Sequence, residues 1–144
     1  MNTAEKLARE VLDALSSGDV ERVGPLVAVG FVDHGAPPWV PQGRVGYLQI
    51  LRFLSTVLRL RYELHDLVAA GDKVAIRATA HGMHNSGHLG FPATGKPYAM
   101  PTMHIYRQDN GVLVEHWGVR DELAVPWQVG ALPAPQPVAL AAAE

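Results

Sequence analysis

The sequence contains no cysteine, which removes disulfide frameworks and thiol catalysis together. It also lacks a basic excess. Twelve Lys and Arg face 14 Asp and Glu, for a net charge of -2, and no basic run or stripe leaves the footprint of a nucleic-acid binder. No apolar run approaches the ~18 residues of a membrane-spanning helix. The N-terminus, Met1 to Lys6, carries an acid at Glu5 and does not read as a secretory signal. These absences fit a cytoplasmic protein whose partners are neither nucleic acid nor membrane. No glycine loop cradles a phosphate, and no serine stands in a nucleophile elbow. His81, His84 and His88 crowd one glycine-rich stretch without a carboxylate nearby in sequence, so no metal is expected there. Carboxylates and imidazoles remain as the groups able to move protons.

What is present suits one domain: 144 residues, 48% of them hydrophobic. Leu7, Val11, Leu12 and Leu15 share a face, which predicts a helix over 3–15 that ends at Ser16-Ser17-Gly18. A short helix over 19–23 breaks at Gly24-Pro25, and Phe31 to His34 reads as a short extended piece. Residues 45–58 predict a second long helix, apolar over more than half its girth, that is buried or lines a cavity. Four strands follow, over 61–69, 73–83, 98–107 and 112–121. The last two are joined by Asn110-Gly111, the residues a type I′ hairpin turn favours. Residues 122–129 are mixed, and 131–144 are a loose tail. Helices first and antiparallel strands after make an α+β fold.

Strand alternation puts Glu115, Trp117, Val119 and Asp121 on one face. An acid beside aromatic and aliphatic groups has its charged form disfavoured, which makes Asp121 a stronger base and the leading candidate for proton transfer. His104 shares a face with Tyr98, Met100, Thr102 and Tyr106, a polar-aromatic surrounding that suits a pocket. His84 follows the last glycine of its strand and is taken as a pocket residue. Tyr47, Met100 and Trp117 are soft or aromatic groups for a flat, hydrophobic aromatic ligand.

Several strings then occur in a telling order. They are Phe31-Val32-Asp33-His34, the Gly-Met-His-Asn-Ser-Gly stretch from Gly82, and Gly90 to Lys96. The hairpin follows, then Glu115-His116-Trp117 with Asp121 four further on, and Gln128-Val129-Gly130. Over residues 5 to 132 this set resembles the SnoaL-like polyketide cyclases, or ester cyclases. The resemblance implies a cone-shaped α+β barrel of the nuclear-transport-factor-2-like type. A curved antiparallel sheet wraps the N-terminal helices around one pocket, in a domain of residues 1–132 followed by an Ala/Pro-rich tail, 133–144. It implies no metal and no cofactor. It implies intramolecular aldol ring closure of an aromatic polyketide, with Asp121 as acid/base and His104 and His34 positioning the substrate. A homodimer covering the outer sheet face is also implied, with His116 and Arg120 as interface candidates. Relatives with this fold also serve hydroxylation, epoxide opening, isomerisation or plain ligand binding, and these alternatives stay open here.

Overall fold

The computed structural model describes residues 1–141. Helix α1 (Thr3–Ser17) starts where the Asn2 side chain accepts the Glu5 N–H. It ends at Gly18, whose φ of 81° is the left-handed cap that glycine adopts without strain. Its buried stripe is the expected one, extended by Ala4, Ala8 and Ala14. A 3₁₀ segment (Val20–Leu26) runs through Pro25 rather than breaking there. Helix α2 (Gly43–Thr56) buries Tyr47 and Leu51 over the sheet.

The sheet has five strands, one more than the alternation pattern predicts. They are β1 (Val27–Asp33), β2 (Arg61–Ala70), β3 (Lys73–Met83), β4 (Pro97–Asp109) and β5 (Val112–Arg120), in spatial order β1-β5-β4-β3-β2. The piece expected only at Phe31–His34 is the end of β1. β1 pairs parallel with β5, while the other pairs are antiparallel. The β3 and β4 sequences alternate buried and exposed residues, the period-two signature of a sheet with one face on the core. That inner face packs on α1 and α2 around Phe31, Val74, Ile76 and Leu113. The mixed segment after β5 closes into a short helix, α3 (Ala124–Gln128), with Pro126 buried. Residues 133–141 form no helix or strand. The expected tail also covers 142–144, which lie outside the described residues. No helix among the described residues is long and apolar enough to cross a membrane.

Candidate active site

The β4–β5 hairpin decides which side chains face inward. Asn110 and Gly111 both have positive φ (50° and 79°), as the type I′ turn requires, and Asp109 pairs with Val112. That register, continued, would set His104 opposite Trp117 and turn Trp117, Val119 and Asp121 inward. It does not continue. Gln108 pairs with Leu113 but Arg107 pairs with Glu115, so Val114 is an extra residue. One extra residue reverses every later side chain. His104 therefore faces Gly118, and His116, Gly118 and Arg120 share its side of the sheet.

Inside, four side chains form a row. His116 Nδ1 lies 2.7 Å from Asp33 Oδ1, and His116 Nε2 lies 2.9 Å from His104 Nδ1. His104 Nε2 lies 3.0 Å from Thr102 Oγ1. Thr102 donates its hydroxyl to the Ala78 carbonyl at 2.9 Å, so its oxygen accepts from His104 Nε2–H. That leaves His104 Nδ1 as an acceptor for His116 Nε2–H, and the last proton lies between His116 and Asp33. Asp33, His104 and His116 are 8%, 2% and 3% exposed.

Burial, with the charges of His116 and Arg120, pushes the His104 imidazole down to about 3, so it stays neutral. Burial alone would raise Asp33. The His116 hydrogen bond and charge, the Gly35 N–H and Arg120 together hold it below the usual carboxylate value. Tyr106 packs on the His116 ring at 4.5 Å and shares a 2.9 Å hydroxyl contact with Tyr47. Both phenols are raised, first of all by burial.

Two glycines let β1 deliver Asp33. A Cβ on Gly35 would stand 2.7 Å from the Gly118 nitrogen, and one on Gly118 would stand 2.9 Å from His116 Cε1. The Gly35 turn therefore lies directly against β5.

Beside the row is a small cavity of about 70 Å³. Ile50, Phe53 and Leu54 of α2, Leu58, Leu60, Tyr98, Met100 and Val125 make it largely hydrocarbon. Its polar wall includes Tyr62, whose ring stands edge-on to His104 at 5.5 Å, and Arg120, which donates to the Gly35 carbonyl at 2.9 Å. On β4 the inward order is Tyr98, Met100, Thr102, His104, so Thr102 stands between His104 and the Met100 wall of the cavity, and His104 itself does not line it. Trp39 and His88, from two loops, stand at the mouth against Phe53.

The expected site residues are distributed unevenly. Met100 lines the cavity, and His104 and Tyr47 belong to the buried array beside it. His84 is fully buried, but its Nδ1 accepts the Thr94 N–H and it does not line the cavity. Asp121 is exposed on the opposite face of the sheet, where its carboxylate accepts the Ala124 N–H. The bulge turns it outward, where Pro101, Met103 and Val119 line an open surface groove with it rather than an enclosed pocket. His34 and Trp117 stack on each other outside at 5.0 Å, and His34 pairs with Glu115 at 2.8 Å. His116 and Arg120, expected at an outer interface, point inward instead. Asp33 and Thr102 belong to the row although neither was expected as a site residue. Alternation from Phe31 places Asp33 on the inner face, and that signal was present in the chain.

The sequence profile of the SnoaL-like polyketide cyclases matches residues 5–129. Among curated proteins, the chain is similar to the aklanonic acid methyl ester cyclase DnrD of Streptomyces peucetius. They are 23% identical over 137 residues, which is 88% of this chain and 94% of DnrD. Among solved structures, TsrD from Streptomyces laurentii superposes with a TM-score of 0.78 at 30% identity, covering 90% of this chain and 96% of TsrD. IdmH from Streptomyces antibioticus gives 0.75 at 30% identity, covering 90% and 99%.

Proposed function

This chain belongs to the SnoaL-like polyketide cyclase family, and on that footing we propose that it closes a ring in an aromatic polyketide by cofactor-independent aldol chemistry, with His104 exchanging the proton. The observation that carries this is the Asp33–His116–His104 row beside an apolar cavity. Burying such a row costs solvation that well-packed hydrocarbon would not.

The row has two self-consistent proton arrangements. In one, His104 holds a proton on Nε2 and His116 is doubly protonated against Asp33. The other holds one proton fewer: the His104 Nε2 proton has left, His116 has passed its own Nε2 proton to His104 Nδ1, and Thr102 Oγ1 turns aside so that His104 Nε2 presents a lone pair to the substrate. The second form removes a proton from carbon flanked by carbonyls. The enolate attacks a carbonyl of the same molecule, a carbon–carbon bond forms, and the first form returns the proton to the new alkoxide. Atoms and electrons balance without a co-reactant. The neutral His104 and the ionised Asp33 are the states this exchange needs. A polycyclic substrate needs more than the closed cavity, since ligand pockets run to ~300–1,000 Å³. The Trp39 and His88 loops therefore part to admit it. Asp121, on the far face, takes no part.

The test is incubation of the purified protein with aklanonic acid methyl ester, the substrate named for the curated relative, and with related aromatic polyketides. Ring closure gives a product of unchanged mass and altered retention. A product heavier by one oxygen or one water means a hydroxylation or hydration instead, and sinks the aldol assignment.

We also propose that a second copy of the chain covers the outer sheet face. There Val68, Met103, Ile105 and Val119 stand exposed on neighbouring strands. Light scattering should give a dimer that Val119→Glu dissociates. A monomeric wild type would refute this.

A further inference from the structure

The cavity has a fixed cation that no carboxylate pairs with. Among the described residues, Arg9, Arg22, Arg52, Arg77 and Arg107 pair with surface carboxylates, whereas Arg44, Arg59, Arg61 and Arg120 form no ion pair, and of these four only Arg120 lines the cavity. Its one hydrogen bond goes to the Gly35 carbonyl, which uses one of five guanidinium donors. The inner-face carboxylate near it, Asp33, is already engaged by His116 and the Gly35 N–H. Glu122 also lines the cavity but is exposed to solvent. The facing walls, Ile50, Leu54, Leu58 and Met100, offer a guanidinium no hydration and no partner. A cation so placed gains most from a planar anion delivered with an apolar body, because Arg matches carboxylate geometry two bonds at a time.

We infer that the cavity selects substrates bearing an anionic group, a carboxylate or an ionised enol, on an aromatic framework, and that Arg120 is the residue that binds it. This takes the location of the site from the ring-closure proposal but does not depend on turnover. Gly118 contributes by leaving room: a Cβ there would stand 3.3 Å from Arg120 Nη2 and crowd the guanidinium.

Direct binding separates the possibilities. Wild-type protein is titrated calorimetrically with 2-naphthoate and with methyl 2-naphthoate, which share their rings and differ in charge. Naphthoate should bind at least about tenfold more tightly, the worth of one charge-assisted contact. Arg120→Gln should erase the difference and leave the ester affinity nearly unchanged, while Arg120→Lys should retain part of the preference. Equal affinities in wild type, a preference that survives Arg120→Gln, or no naphthoate binding at millimolar concentration would each overturn the inference. If Arg120→Gln does not fold, the wild-type pair and Arg120→Lys still decide. A naphthoate preference in a protein that cyclises nothing would uphold the anion site while refuting ring closure.

Discussion

The two faces of β5 carry nearly the same pair in different surroundings. Outside, His34 meets Glu115 at 2.8 Å; inside, His116 meets Asp33 at 2.7 Å. The two distances nearly agree, but the side chains are 42% and 22% exposed outside and 3% and 9% inside. Solvent screens the outer pair and leaves it worth little. The inner pair has lost its water and depends on its partners for every hydrogen bond. Distance therefore says nothing about which pair matters. Burial, and the continuation of the inner pair into His104 and Thr102, separate them.

The sharpest way to break that contrast is at the inner end. His104→Gln keeps a hydrogen-bonding side chain but cannot cycle a proton, so turnover should fall by about 10²–10⁴ with the fold intact by circular dichroism. Unchanged turnover would remove His104 from the chemistry. Asp33→Ala should cost about 3–5 kcal/mol in urea unfolding, because it leaves His116 buried without its acid. Glu115→Ala should cost far less in the same assay, even after allowing for its second partner, Arg107. Similar losses for the two variants would mean the faces are not as different as their exposures indicate.

Acid should distinguish the faces as well. His104 is held down to about 3 in the folded protein, while an unfolded histidine titrates near ~6.5. As pH falls below ~6.5, the unfolded chain takes up a proton that the native state refuses. The His104 contribution is therefore complete above that value and is lost progressively down to about 3, amounting to roughly 3–5 kcal/mol. Asp33, also lowered, adds a loss confined to pH below ~3.9. On the outer face Glu115 is lowered by its hydrogen bonds to His34 and Arg107, and its loss lies below ~4.3. Urea midpoints between pH 7 and 4.5 should thus fall in wild type and stay flatter in His104→Gln. An equal slope in both would show that His104 is not the group resisting protonation.

Much of the frame was legible because it rests on period. The α1 stripe, the alternation of β3 and β4, and the Asn110-Gly111 turn all follow from spacing and φ. Alternation also sorted β5 correctly into Glu115-Trp117-Val119-Asp121 and His116-Gly118-Arg120. It could not say which set is inside. That depends on Val114, a bulge residue of unremarkable type, and on β1 joining the edge of the sheet in parallel. Neither leaves a local pattern in the chain, and β1 is broken by a register shift between Val27 and Val32. Alternation from Phe31 does place Asp33 inside, but only the paired β1 sets it beside His116.

The smallest expected effect falls on the residue that sequence alone favours. Asp121 is exposed, and its carboxylate accepts the Ala124 N–H where the chain turns into α3. Asparagine accepts that bond as well as aspartate does at such a turn. Asp121→Asn should therefore shift stability by less than about 0.5 kcal/mol, the usual range for surface substitutions. Turnover should stay within about twofold of wild type, since nothing joins the carboxylate to the cavity through the sheet. Assayed beside His104→Gln, this variant sharpens the comparison from the outer side. A collapse of turnover in Asp121→Asn with normal turnover in His104→Gln would place the chemistry on the exposed face. It would require the β5 bulge to be absent from the working enzyme.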